Sequence, residues 1–259
     1  PFDGSCATCH RNGVVEQEIT IVEGRRNGTD TSYYPSGCPF SSQSFLLGQP
    51  HGISKTYFDS TNRVKSIIEH YMGSVNGAFI TFDLNGDTLK LQDYEANLPN
   101  GVKKEYYTAS VLKKITHYKM GLLHGCQTKY SENGNKQLAI SYFEGKKDNV
   151  WTYYFDNQEI ARIEGWDKGI KEGSFITYNA TGTIINEKYY KKGKPIGIHK
   201  EFYLDGREKH TMFYSKKGVI EEEYAFDDYG VKQIIKQRET KAMRKKKRKG
   251  KEEDNSLMN

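Results

Sequence analysis

The residues best equipped for chemistry lie near the N-terminus. Cys6, Cys9 and His10 have the Cys-x-x-Cys-His spacing that attaches a c-type haem, with His10 as the prospective axial ligand. The same three, joined by Cys38 after the Pro35-Ser36-Gly37 turn, are also a ligand set for tetrahedral zinc. The surroundings do not suit haem, because Gly-aromatic segments begin at Gly24 and leave no room for a helical package or a distal Met segment. The expectation is no cofactor, with zinc or covalently attached haem c as the alternatives and a Cys6-Cys9 pair or plain thiols otherwise. Cys126 has no partner nearby in sequence and reads as a small packed residue or a free thiol.

Other chemical patterns are thin. His51, His124 and His199 stand in or beside turns, without a Ser or Cys nucleophile and an acid at a comparable phase, so they form no triad. Asp83, Asp87 and Asp93 lack the spacing of a calcium loop, and the sequence has neither a phosphate-binding Gly-rich loop nor His-Glu-x-x-His. These side chains are assigned to turns and solvated surface. No catalytic residue, enzymatic activity or small-molecule substrate is implied.

The net charge of +6 is unevenly placed. Between Lys232 and Asn255 there are 11 basic and four acidic residues, a balance of +7 that leaves −1 for the preceding 231. A run containing Arg244, Lys245, Lys246, Lys247, Arg248 and Lys249 suits an anionic membrane surface or an acidic partner, and less well nucleic acid. No apolar stretch approaches the roughly 18 residues of a membrane-spanning helix. The chain reads as soluble or peripherally associated, with its compartment open.

What positions these residues is a repeat. Gly28, Gly52, Gly77, Gly101, Gly125, Asn149, Gly173 and Gly197 recur every 24 residues, with one step of 25. Each opens a segment ending in aromatics and a turn such as Leu84-Asn85-Gly86 or Leu204-Asp205-Gly206. A second aromatic series, Phe45, Tyr71, Tyr94, Tyr118, Tyr142, Trp166, Tyr190 and Tyr214, marks the return strand. Between hairpins lie pairs such as Gly24 and Gly28, or Gly121 and Gly125, the first placed for positive φ and the second for a strand opening free of crowding. A lone hairpin is marginal in water, so neighbouring hairpins must stack. The pattern predicts an all-β, elongated, single-layer antiparallel ribbon advancing roughly 10 Å per hairpin. Its array runs over 24–230, preceded by a cap or Cys-containing segment at 1–23 and followed by a basic tail at 231–259, with a short helix expected within Val231 to Lys249.

Gly-x-x-x-Gly, an aromatic-ending strand and an Asn-Gly-type turn, repeated in phase, resemble the MORN repeat, especially the variant repeat of bacterial antitoxin-like proteins. The resemblance spans roughly Gly24 to Gly230 and implies a single-layer β scaffold for protein contacts or larger assemblies, with no transferable active-site residues. The implied function is a noncatalytic protein-interaction scaffold or accessory subunit. The alternatives are a haem- or zinc-associated redox subunit and a tail-mediated tether. The aromatics at strand ends, Phe58, Tyr107, Tyr130, Tyr154, Tyr178 and Tyr203, are the candidate contact residues.

Overall fold

A computed structural model describes residues 2–108 and 111–237. Two compact units divide the chain, Pro1–Gln158 and Glu159–Asn259. Each is a single antiparallel layer of hairpins in which every strand pairs with its neighbour in sequence. The first unit runs from the strand Gly4–Cys9 to Lys146–Tyr154, and the second from Ile160–Asp167 to Lys232–Lys236. The all-β, single-layer expectation is met in both.

Two kinds of turn alternate, and the sequence dictates each. The short turns have two residues, as at Met120-Gly121 between Leu112–Lys119 and Leu122–Tyr130. Met120 and Gly121 have φ of 47° and 82°, the double left-handed geometry of a type I′ turn, whose twist matches the flanking strands. Asn97 replaces this glycine at φ 68°, as its short amide side chain permits. The turn amide also reaches the adjacent hairpin. Gly121 N–H donates to Pro99 O at 2.8 Å, Gly73 to Pro50 at 2.8 Å, and Gly193 to Lys171 at 2.9 Å, so a ladder of bonds knits this edge.

The other edge carries longer turns. Tyr34 N–H donates to Cys38 O and Gly37 N–H to Tyr34 O, both at 2.8 Å, and the same pair of bonds recurs at Tyr203–Arg207. Glycine is required because the third loop residue is left-handed, with φ of 87° at both Gly37 and Gly206. The register shifts beside each of these turns, as between Ser32 and Tyr33, which places one unpaired bulge residue on the returning strand.

A single layer cannot enclose a conventional core. The large buried apolar side chains among the described residues are Ile140 and Trp151, while Gln92, Thr116, His199 and Thr211 are also buried. Cover comes from rings stacked across successive strands. In the second unit Trp166, Phe175, Tyr190, His199 and Tyr214 form one ladder, with centroids 4.4 to 5.4 Å apart. In the first, Phe79 meets Tyr94 and Tyr142 meets Trp151. These contacts supply the area and edge-to-face energy that a second layer would otherwise provide.

Three expectations need correction. Tyr71 does not belong to the return-strand series: Gly52 pairs with His70, whereas Gly77, Gly101 and Gly125 pair with Tyr94, Tyr118 and Tyr142. One extra residue in the preceding turn shifts the phase and leaves Tyr71 61% exposed beside the next short turn. Lys232–Lys236 form a strand against Ile220–Phe226 rather than helix, since the open edge offers backbone partners to the β-branched pair Ile234-Ile235. His199 is neither a turn residue nor solvated; it sits in Gly197–Phe202 at 2% exposure.

Candidate binding cleft

The Cys-x-x-Cys-His motif becomes intelligible in the repeat register. Gly4 pairs with Ile21 just as Gly28 pairs with Phe45, so the strand Gly4–Cys9 opens another hairpin of the same kind. His10 then occupies the place of Tyr34, Tyr107 and Tyr203. Its ring nitrogen Nε2 lies 2.9 Å from Tyr33 O. The hydroxyls of Tyr34, Tyr107 and Tyr203 donate to the carbonyls of Tyr57, Tyr130 and Phe226 at 3.0, 3.0 and 2.8 Å, each 23 residues onward. All four side chains are staples from one long turn to the next hairpin. Cys6 and Cys9 are exposed, and strand alternation sends side chains three residues apart to opposite faces. Cys38 lies beyond the following turn, and no group of three or more Cys, His, Asp or Glu converges as a metal site among the described residues.

The candidate contact aromatics divide into two positions. Tyr130, Tyr154 and Tyr178 end their strands and are half-buried, with the Tyr130 carbonyl receiving a staple. Tyr107 and Tyr203 are staples themselves, and Phe58 occupies a staple position without a hydroxyl. The basic run Arg244, Lys245, Lys246, Lys247, Arg248 and Lys249 lies outside the described residues. Asp83 accepts the amides of Asn85 and Asp87 at 2.8 and 2.9 Å, and Asp93 accepts that of Val102 at 3.1 Å, so both satisfy backbone donors. Asn179 does likewise for Thr181 and Thr183.

The repeat rules fail together at one place. The turn after Phe58 closes from Phe58 N–H to Arg63 O at 2.9 Å, one residue longer than its counterparts, and its Ser60 and Asn62 are left-handed at φ 62° and 53°. Beside it opens a cleft of about 680 Å³ lined by Phe58, Phe79, Phe82, Leu84 and Leu89, with Lys65, Asp83 and Asn85 among its polar groups. Leu89 and Lys65 are the bulge residues of their hairpins, which the register shift turns toward this edge. Lys65 Nζ lies 5.8 Å from the Phe58 ring centroid and Lys90 Nζ 5.3 Å from that of Phe79. The Arg63 guanidinium donates to Leu84 O across the mouth. Asp83 is occupied with its own turn, and Ser66 with Thr56 at 2.6 Å. The cleft therefore offers an apolar floor with a cationic rim, the composition of an anchoring pocket rather than of a proton-transfer site. The signal for it was present in sequence: the single 25-residue step, and Phe at position 58 where tyrosine recurs.

Electrostatic perturbation lies elsewhere. Burial lowers the pKa of His199, which its bond to the Tyr189 carbonyl only partly counters, and burial also lowers that of His70. The Nε2 of His199 stands 2.8 Å from Tyr189 O and 3.0 Å from Tyr189 N, which fixes the ring within the ladder.

Among the described residues, no helix is long and apolar enough to cross a membrane. The MORN repeat variant family matches residues 123–143, the length of one hairpin. No curated protein matches the sequence significantly. Two solved assemblies are similar at low identity. One is a TcdB2-TccC3-Cdc42 complex, 10% identical, covering 89% of this chain and 14% of that one, with a TM-score of 0.19. The other is the Tc holotoxin pore of Photorhabdus luminescens with mutated TccC3, 14% identical, covering 88% and 14%, with a TM-score of 0.18. This chain thus spans about one seventh of either, and at such scores neither carries an argument. The short family match accords with a MORN-like hairpin and identifies no subfamily.

Proposed function

We propose that this chain is a noncatalytic protein-binding scaffold or accessory subunit, and that the Phe58–Leu89 cleft is a docking point on it. The observation that carries this reading is the coincidence of two departures from the repeat, a longer turn and a missing staple hydroxyl, at one apolar cleft. A tyrosine at position 58 would tie its ring to the carbonyl of Phe82, as Tyr34 does to that of Tyr57. Phenylalanine leaves that bridge unmade. An aromatic or aliphatic side chain of a partner would bury apolar area against Phe79 and Phe82, in the manner of interface anchors.

Two substitutions test it without disturbing the fold. Leu84→Glu introduces a residue already tolerated at the equivalent turn position, Glu132, and Leu84 is 54% exposed. Phe58→Tyr restores the recurring staple. Proteins recovered on the wild-type chain by affinity capture should be lost with both variants while the thermal melt is retained. Identical recovery on all three chains would reject the cleft as a docking point.

A further inference from the structure

We infer that the short-turn edge of the first unit is the interface of a two-fold homodimer, a surface distinct from the cleft. Four consecutive short turns present Leu47, Met72, Ala96 and Met120 at their first position, joined by Tyr71, Leu98 and Leu122 alongside. Apart from Ala96, a small side chain, these residues are between 41% and 61% exposed. Successive turns are roughly 10 Å apart, two strand spacings. The side chains are continuous along the edge, because a Cβ placed on Gly121 would lie 3.5 Å from Leu98 Cδ2 of the preceding turn. The ridge offers roughly 650 Å² of apolar surface, larger than the few hundred Å² ordinarily left exposed and close to the share of about 800 Å² that each partner gives a standard interface.

The charges at its two ends specify the occupant. The turn before the ridge reads Glu23-Gly24-Arg25, and the turn after it reads Glu144-Gly145-Lys146, all exposed apart from the glycines' missing side chains. When two copies meet edge to edge in opposite directions, the first end of one faces the last end of the other. Glu23 then meets Lys146 of the second copy and Arg25 meets Glu144, twice over by symmetry. The same patch is thereby complementary to itself, the condition for a closed two-fold contact. Between the charged ends, Leu47 opposes Met120 and Met72 opposes Ala96. Unbranched methionines adapt readily to such a facing surface.

Sedimentation velocity of the full-length chain tests the inference. The wild type should dimerise within the micromolar range. Met72→Glu with Met120→Glu should abolish the dimer up to about 100 µM while leaving the melt unchanged. Glutamate is compatible with these left-handed positions, since Glu23 and Glu144 occupy their equivalents at φ 51° and 48°. Arg25→Glu should weaken the dimer at least about threefold by facing Glu144, and adding Glu144→Lys should restore it. A chain monomeric throughout, a dimer indifferent to the methionine variants, or charge variants that fail to compensate each other would overturn it. A different protein seated on the ridge would leave the chain monomeric alone, and so counts against the homodimer in the same experiment.

Discussion

At the scale of single residues, the long turns solve one problem in two ways. Asp83, Ser131, Asn179 and Asp227 accept amides of their own turn, while Tyr34, Tyr107 and Tyr203 spend their hydroxyls on the next hairpin. From Asp83 onward the two solutions alternate, so a bulky staple is followed by a compact cap over which its ring can lie. Removing one staple with Tyr107→Phe should cost about 1 kcal/mol, and Phe58→Tyr should add a similar amount, as read from urea midpoints. His199 makes a separate prediction. Its folded-state pKa lies below the unfolded value near 6.5, so the unfolded chain binds the proton more readily. The contribution is complete above about pH 6.5, and falls away as pH drops through the folded pKa. His199→Phe keeps a ring between Tyr190 and Tyr214 and cannot charge, so its stability should vary less between pH 7 and 5; His70, shifted the same way, should preserve a remainder. An equally steep decline in the variant would assign the dependence to other groups.

At the scale of the hairpin, glycine was the legible signal, because both turn types need left-handed residues that few side chains tolerate. The recurrence of 24 residues therefore exposed the strands, turns and pairing partners before any contact was known. What it concealed follows from the same physics. An extra loop residue costs little because a long turn can absorb it, yet it moved the return-strand position from Tyr71 to His70. His10 was hidden for another reason: a staple needs only a side chain that reaches a carbonyl, and histidine serves as well as tyrosine while completing a haem-like motif. The apolar ridge was invisible because the first position of a type I′ turn accepts Leu, Met, Ala, Glu or Lys alike, so nothing local in the sequence marks its burial or exposure. Glycines also differ in consequence. Gly165 has a fully ordinary backbone, but a Cβ there would stand 2.0 Å from Glu172 O, whereas one on Gly86 meets nothing within 4 Å and suffers only from φ 92°. Gly86→Ala should cost about 1–2 kcal/mol, and Gly165→Ala more, with the hairpin Ile160–Asp167/Ile170–Tyr178 losing amide exchange protection ahead of its neighbours.

At the scale of the whole chain, charge and apolar surface are segregated. The first 231 residues are nearly neutral, and the excess of positive charge falls after them. Deleting 238–259 should therefore remove salt-sensitive retention on anionic vesicles or heparin without altering the β-sheet circular dichroism; retention that persists would place the electrostatic contact on the hairpins. The interaction surfaces inferred above carry few net charges, so they should respond weakly to salt by comparison. A scaffold organised this way separates an apolar docking point from a long-range electrostatic one.

The ladder of turn amides has one more consequence. Since Gly121 bonds only one hairpin back, and Tyr107 only one hairpin forward, no bond of either kind needs to know how many hairpins the chain contains. A gene segment encoding one full period can be duplicated or lost in frame, and the junction it leaves presents the same donors to the same acceptors. Length is then a heritable variable that selection can adjust by whole periods, while a change of a few codons within a strand would flip its faces and be purged.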